Sequence, residues 1–141
     1  MTDSAALTAF WNHVRAENPA LPEQTPGAWA FGATPDHADS LLALVLAGVK
    51  TGTASSQWDY DETGDPEPYV GELSIILDGS GAPRAVLETT AVRTVPFDEV
   101  TDEHAHAEGE GDRTLTYWRE SHERYWRCLL YTSPSPRDRQ K

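Results

Sequence analysis

Ala47 to Ser55 reads A-G-V-K-T-G-T-A-S: an apolar run stops at a glycine, and a lone lysine is then followed by alternating threonines. Immediately ahead, Ser40 to Leu46 (S-L-L-A-L-V-L) is the most apolar window in the chain. It predicts a well-anchored helix begun at Thr34-Pro35-Asp36, where a hydroxyl cap, a proline at the first helical position and a first-turn acid coincide. Gly48 suits the position just past the helix end, where a left-handed backbone is needed. Lys50 is thus delivered from a helix end and is the leading functional candidate, although a lysine there can also simply complement the helix dipole. The period then changes to two, so Thr51 to Ser56 predicts a strand with Thr51, Thr53 and Ser55 on one face.

Upstream, Leu7, Phe10, Trp11 and Val14 mark one face of a helix over residues 4 to 17, with Thr2, Asp3 or Ser4 as cap. Pro19, Pro22, Pro26 and Gly27 then make an extended connector leading to Trp29 and Phe31. Downstream, Trp58, Tyr60 and the acids Asp59, Asp61, Glu62 and Asp65, closed by Pro66-Glu67-Pro68, read as an aromatic-rimmed loop. Glu72 to Leu77 predicts a strand, Asp78 to Gly81 a hairpin turn, and Arg84 to Val95 a long return strand. Thr101 to His104 opens a short capped helix ending before Gly109, the acidic E-G-E-G-D loop reads as solvated, and Thr114 to Arg127 predicts a last helix. On that helix Trp118 and His122 read as packing residues.

At 141 residues the chain is long enough for one core, and 38% hydrophobic content with five Trp and five Tyr predicts a folded domain. No window approaches the ~18 consecutive apolar residues of a membrane span, and M-T-D-S lacks a basic signal-peptide region. A cytoplasmic protein is expected. The single cysteine allows no internal disulfide. There is no P-loop, G-x-G-x-x-G or Cys/His zinc spacing, and His104 and His106 point to different sides of a helix, so neither metal nor cofactor is expected.

Cys128 to Asp138 (C-L-L-Y-T-S-P-S-P-R-D) back-translates to the end of a transposon-based sequencing adapter, so residues 128–141 are expected to be a non-native tail and the natural chain to be truncated near Arg127. Net charge is −12; with Arg137, Arg139, Lys141 and Asp138 set aside, 8 basic and 22 acidic groups leave −14. So acidic a domain repels a phosphate backbone at long range, which excludes long duplex nucleic acid as an expected partner.

Four blocks occur in order: A-G-V-K-T-G-T-A-S, G-E-L-S-I-I-L-D-G-S-G-A-P, V-P-F-D-E-V and A-E-G-E-G-D-x-x-x-x-Y-W-R-x-x-H. Together they resemble the ASCH domain family over Trp29 to Arg127. The resemblance implies an α+β fold, a PUA-like β-barrel flanked by helices. With the readings above, the chain divides into an N-terminal helix and connector over 1–28, the ASCH domain over 29–127 and the adapter-derived tail over 128–141. The family pattern continues past the last helix, so the final barrel strand or strands are expected to be missing.

Small family members look like N4-acetylcytidine amidohydrolases with a lysine, threonine and glutamate catalytic set, and others are assigned RNA binding or cleavage. By motif the set falls on Lys50, Thr53 and Glu108. Amide hydrolysis needs a nucleophile, a proton carrier and an oxyanion stabiliser. Thr53 can supply the hydroxyl, Lys50 the proton relay or the oxyanion contact, and Glu108 the orienting or acid-base carboxylate. Thr51, Ser55, Trp58 and Tyr60 are expected to bind ligand, the aromatics by stacking on a base. The Trp58 to Pro68 insertion and the E-G-E-G-D extension depart from the shortest amidohydrolase-like members, so substrate identity does not transfer. The expected function is binding of a nucleoside- or nucleotide-like ligand at the barrel mouth, with hydrolysis of an amide on it. The alternatives are a module that binds or cleaves single-stranded RNA, and a ligand-sensing domain without catalysis.

Overall fold

Leu7, Phe10, Trp11 and Val14 recur at helical spacing, and Ser4–Glu17 accordingly forms helix α1 with all four in one apolar cluster. The computed structural model describes residues 4–32, 34–64 and 67–131, without the side chains of residues 58, 59, 63 and 127–131. The expected caps Thr2 and Asp3 therefore lie outside the described residues. The chain divides into two compact units, each assembled from two separated stretches.

The first unit comprises the chain up to Leu46 together with Tyr69–Ala91. It holds a three-stranded sheet of β1 (Gly27–Trp29), β2 (Leu73–Leu77) and β3 (Pro83–Glu88), in that order. β1 runs parallel to β2, with Ala28 opposite Ile75, and β3 runs antiparallel to it, with Val86 opposite Ile75. The central strand is apolar on both faces because both are covered. Ile75 and Leu77 pack against Trp11 of α1, while Ile76 packs with Phe31 and with Leu41 and Leu42 of helix α2 (Pro35–Leu46). Burying each isoleucine contributes roughly 1.5–3 kcal/mol. Trp11 is fully buried without losing a hydrogen bond, since its indole N–H donates to the Pro22 carbonyl at 3.0 Å.

Helix α2 starts as expected, with Thr34 Oγ1 accepting from the His37 N–H at 3.1 Å. The hairpin between β2 and β3 is organised by Asp78, whose Oδ1 accepts from Ser80 N (2.9 Å), Ser80 Oγ (2.7 Å) and Ala82 N (3.0 Å). These bonds, with that from Ser80 Oγ foremost, hold the Asp78 carboxyl at about 2.

The second unit comprises Ala47–Pro68 and the chain from Val92 onward. It contains helices α3 (Gln57–Thr63), α4 (Asp102–Glu108) and α5 (Leu115–Tyr131), and a 3-10 turn at Phe97–Glu99. Its core is aromatic: Trp118 and Trp126 of α5 pack with Val100 and Ala105, flanked by Ala54, Val95, Phe97 and Leu115.

The structure departs from the sequence reading at several places, each for a local reason. Thr51 to Ser56 is not a strand, because Thr51 N and Gly52 N both donate to the Ala107 carbonyl (2.7 and 3.0 Å) and not to a ladder. The expected Trp58 loop starts as helix α3: nothing between Gln57 and Thr63 breaks a helix, and Gly64, at φ +73°, ends it. β3 is shorter than the expected Arg84 to Val95, because its partner β2 begins only at Leu73 and the bonds beyond it go no further than those of Gly71 and Glu72 with Thr89. β1 was not expected, being too short for any periodicity. The last helix continues past Arg127 to Tyr131, through a stretch without proline or glycine.

No helix among the described residues is long and apolar enough to cross a membrane.

Candidate functional site

Lys50 follows the turn at Gly48, whose φ of +77° takes the left-handed conformation expected of it. The lysine is 5% exposed. Its ammonium donates to the Gly52 carbonyl at 2.9 Å, the Glu108 carbonyl at 3.3 Å and the Glu110 carboxylate at 3.1 Å. The Glu108 carboxylate stands 4.0 Å away. A buried ammonium is tolerated only where paired and hydrogen-bonded, and here it has both.

The acids arrive from the end of α4. Thr101 caps that helix, accepting from the His104 N–H, and Gly109 closes it at φ +72°. His104 and Glu108 lie one turn apart, so both side chains share the inward face. Arg113, a non-glycine residue at φ +65°, locks the segment by donating from Nε to the His106 carbonyl (3.0 Å) and from Nη2 to the Val49 carbonyl (3.4 Å). The loop read as solvated is thus drawn inward: Glu108 is 1% exposed and the Glu110 side chain 19%.

Four groups saturate the Glu108 carboxylate. Its Oε2 accepts from Trp118 Nε1 at 2.7 Å and lies 2.5 Å from His104 Nε2; its Oε1 lies 3.3 Å from His122 Nε2 and faces Lys50. Burial alone would raise its pKa, but the bonds from His104 and His122, the charge on His122 and the Trp118 bond outweigh it and bring the carboxyl down to about 2. His122 is its counterpart. Burial would lower its pKa, yet the hydrogen bond and the charge of Glu108 raise it. Its partners place one hydrogen: Nδ1 lies 2.8 Å from the Trp118 carbonyl, which only accepts, while Nε2 lies 3.3 Å from Glu108 Oε1. The ring stacks on Trp118 with centroids 4.2 Å apart.

Of the residues singled out from sequence, the structure brings Lys50 and Glu108 together. Thr53 is exposed, and no site hydrogen bond among the described residues reaches it. Thr51 is exposed and tied to the Ala107 carbonyl. Ser55 and Tyr60 hydrogen-bond to one another through their hydroxyls, and the side chain of Trp58 lies outside the described residues. His104, Glu110, Trp118 and His122 were missed as site residues. Trp118 and His122 do pack, as expected, but they also hold Glu108. The i, i+4 spacing of His104 with Glu108, and of Trp118 with His122, was the signal available.

A shallow groove of about 450 Å³ runs along the outward face of α4, lined by Asp102, Glu103, His106, Arg113, Thr114 and Leu115. It does not include Lys50 or Glu108. Among the described residues no group of three or more His, Cys, Asp or Glu is arranged to hold a metal ion.

The family model for the ASCH domain matches residues 27–138. A crystal structure of a protein from Enterococcus faecalis V583 is 31% identical, with a TM-score of 0.86 over 98% of this chain and 83% of its own. The crystal structure of an ASCH domain from Lactobacillus crispatus JV V101 shares the fold at 24% identity, with a TM-score of 0.84 over 99% of this chain and 89% of its own. No curated protein matches. With the family match running through Lys50, Glu108 and the helix that carries Trp118 and His122, the chain belongs to the ASCH domain family.

Proposed function

We propose that this chain is a cytoplasmic amidohydrolase that binds a small nucleoside-like ligand and cleaves an amide on it, of the N4-acetylcytidine kind. In this reading its sheet is part of a PUA-like barrel. One observation carries the reading: a buried lysine ammonium held between two carboxylates, one of them fixed by two imidazoles and an indole N–H. Such a charge, shielded from water, can stabilise an oxyanion once one of its three hydrogen bonds, that to Glu110, is exchanged for the substrate oxygen. Lys50 takes that role, and the exposed Thr53 supplies the attacking hydroxyl. Thr51, Ser55, Trp58 and Tyr60 contact the ligand. The net charge of −12 favours a small ligand over a polyanion.

Incubation of the protein with N4-acetylcytidine should release acetate, and Lys50→Ala should abolish that release. Full activity in the variant would remove Lys50 from the site. Salt-sensitive capture of single-stranded RNA without acetate release would replace the enzyme with an RNA-binding module.

A further inference from the structure

The Lys50 ammonium has three N–H donors, and three acceptors take them: the Gly52 carbonyl at 2.9 Å, the Glu108 carbonyl at 3.3 Å and Glu110 Oε2 at 3.1 Å. A ligand oxygen reaches the ammonium only in place of one of these, and they are not equally firm. The Gly52 carbonyl belongs to a segment whose amide donates to the Ala107 carbonyl at 3.0 Å, packed so closely that a Cβ on Gly52 would meet the Ala107 Cβ at 3.2 Å. The Glu108 carbonyl is fixed where α4 closes at Gly109. Both are main-chain groups, and neither leaves without unmaking that turn. Glu110 instead reaches Lys50 with a carboxylate at the end of a side chain whose rotamers interconvert. That side chain keeps 19% of its surface open, against 2% for Glu108, so water can solvate it once it swings out.

The backbone on either side of Glu110 is held. Gly109 and Gly111 stand at φ +72° and +58°, and a Cβ on the first would meet the Val49 carbonyl oxygen at 2.9 Å, one on the second the Tyr117 ring at 2.5 Å. A change at this contact is thus a turn of one side chain and not a movement of the loop. Resting on the reading of Lys50 as the contact for a substrate oxygen, we infer that Glu110 is an autoinhibitory gate, its carboxylate occupying the place on the ammonium that a ligand's carbonyl or carboxylate oxygen takes. The gate lowers apparent affinity by the fraction of molecules in which it stands open, and it takes no part in the chemical step.

The test uses the full chain, whose only lysines are Lys50 and Lys141. Labelling lysine with 13C gives one Cε signal from each, and Lys141→Arg tells them apart. Sodium acetate is the probe, titrated against sodium chloride at equal ionic strength. In Glu110→Ala the Lys50 signal should respond to acetate at about ten- to a hundred-fold lower concentration than in wild type, the span of one charge-assisted hydrogen bond. Glu110→Gln, which keeps an oxygen acceptor in the same place without its charge, should fall between, and it carries the test if Glu110→Ala does not fold. Half-saturation within about two-fold of wild type in the folded variants, or a Lys50 signal that ignores acetate in all of them, overturns the gate. In turnover of N4-acetylcytidine, Glu110→Ala should lower KM by the same factor and leave kcat near wild type. A kcat lowered more than about ten-fold makes Glu110 a participant in the reaction and overturns the gate as well. The acetate titration needs no turnover, so an inactive wild type overturns the enzyme reading while the Lys50 signal still decides the gate.

Discussion

The indole N–H of Trp118 donates to Glu108 Oε2 at 2.7 Å, so a buried acid of the second unit is held by one of the two tryptophans of its core. Packing and charge placement are therefore one structure here: the ring that fills the core among Phe97, Val100 and Trp126 also orients the partner of Lys50.

Trp118→Phe keeps most of the apolar surface and removes only the donor. Hydrogen bonds to charged groups contribute about 1.5–3 kcal/mol, and a loss of that order is expected in urea unfolding at neutral pH. Acid unfolding should also move to higher pH, since one group that lowers the Glu108 pKa is gone.

Stability should peak in a window of pH set by two opposed shifts. Glu108 is depressed from 4.5 to about 2, so its contribution is present above 4.5 and lost as pH falls through about 2. His122 is raised from 6.5, so its contribution is complete below 6.5 and lost as pH rises through the higher folded value. The plateau should lie between about pH 4.5 and 6.5. His122→Asn, whose amide can still donate to the Trp118 carbonyl, should remove the alkaline decline and shift the acid limb upward; melting temperatures taken across pH check both.

Gly48 and Gly109 separate backbone strain from crowding. Both have left-handed φ (+77° and +72°), but a Cβ on Gly48 meets nothing within 4 Å, whereas one on Gly109 meets the Val49 carbonyl at 2.9 Å. Gly48→Ala should cost about 1–2 kcal/mol, the left-handed penalty alone. Gly109→Ala should cost clearly more, and chemical denaturation of the pair measures the difference.

Removing the cation leaves two acids facing each other. Lys50→Met should destabilise the protein by up to about 3–5 kcal/mol at neutral pH, the range for breaking a buried pair. Adding Glu110→Gln to it should recover part of the loss, since one of the uncompensated charges is then gone; thermal melts of the single and double variants show the coupling.

Much of this was legible in the sequence where one residue type has one use. Thr34-Pro35 and Thr101 started helices, Gly48 and Gly109 ended them, and the apolar run through Ile75 to Leu77 marked a strand. Lys50 stood out because Lys141 is the only other lysine. Alternation misled at Thr51 to Ser56, since period two reports which side chains point together and not where the amides bond. Charge misled at Glu110: an acid between glycines looks solvated until the chain folds a lysine onto it. The roles of Trp118 and His122 depended on α5 meeting α4, which no local pattern encodes.

The interleaving of the two units bears on how the protein is made. The first unit closes only when Tyr69–Ala91 joins the residues up to Leu46, and the stretch between belongs to the other unit. A chain emerging from the ribosome therefore cannot finish either body while its N-terminal half alone is out. The β2–β3 hairpin, closed by the short Asp78 turn, can form early, whereas the parallel pairing of Ala28 with Ile75 must wait for the whole Lys50 segment to be synthesised and looped out. Until then the flank of α1 that carries Trp11 has no sheet to cover it, and a nascent-chain chaperone would find its target there.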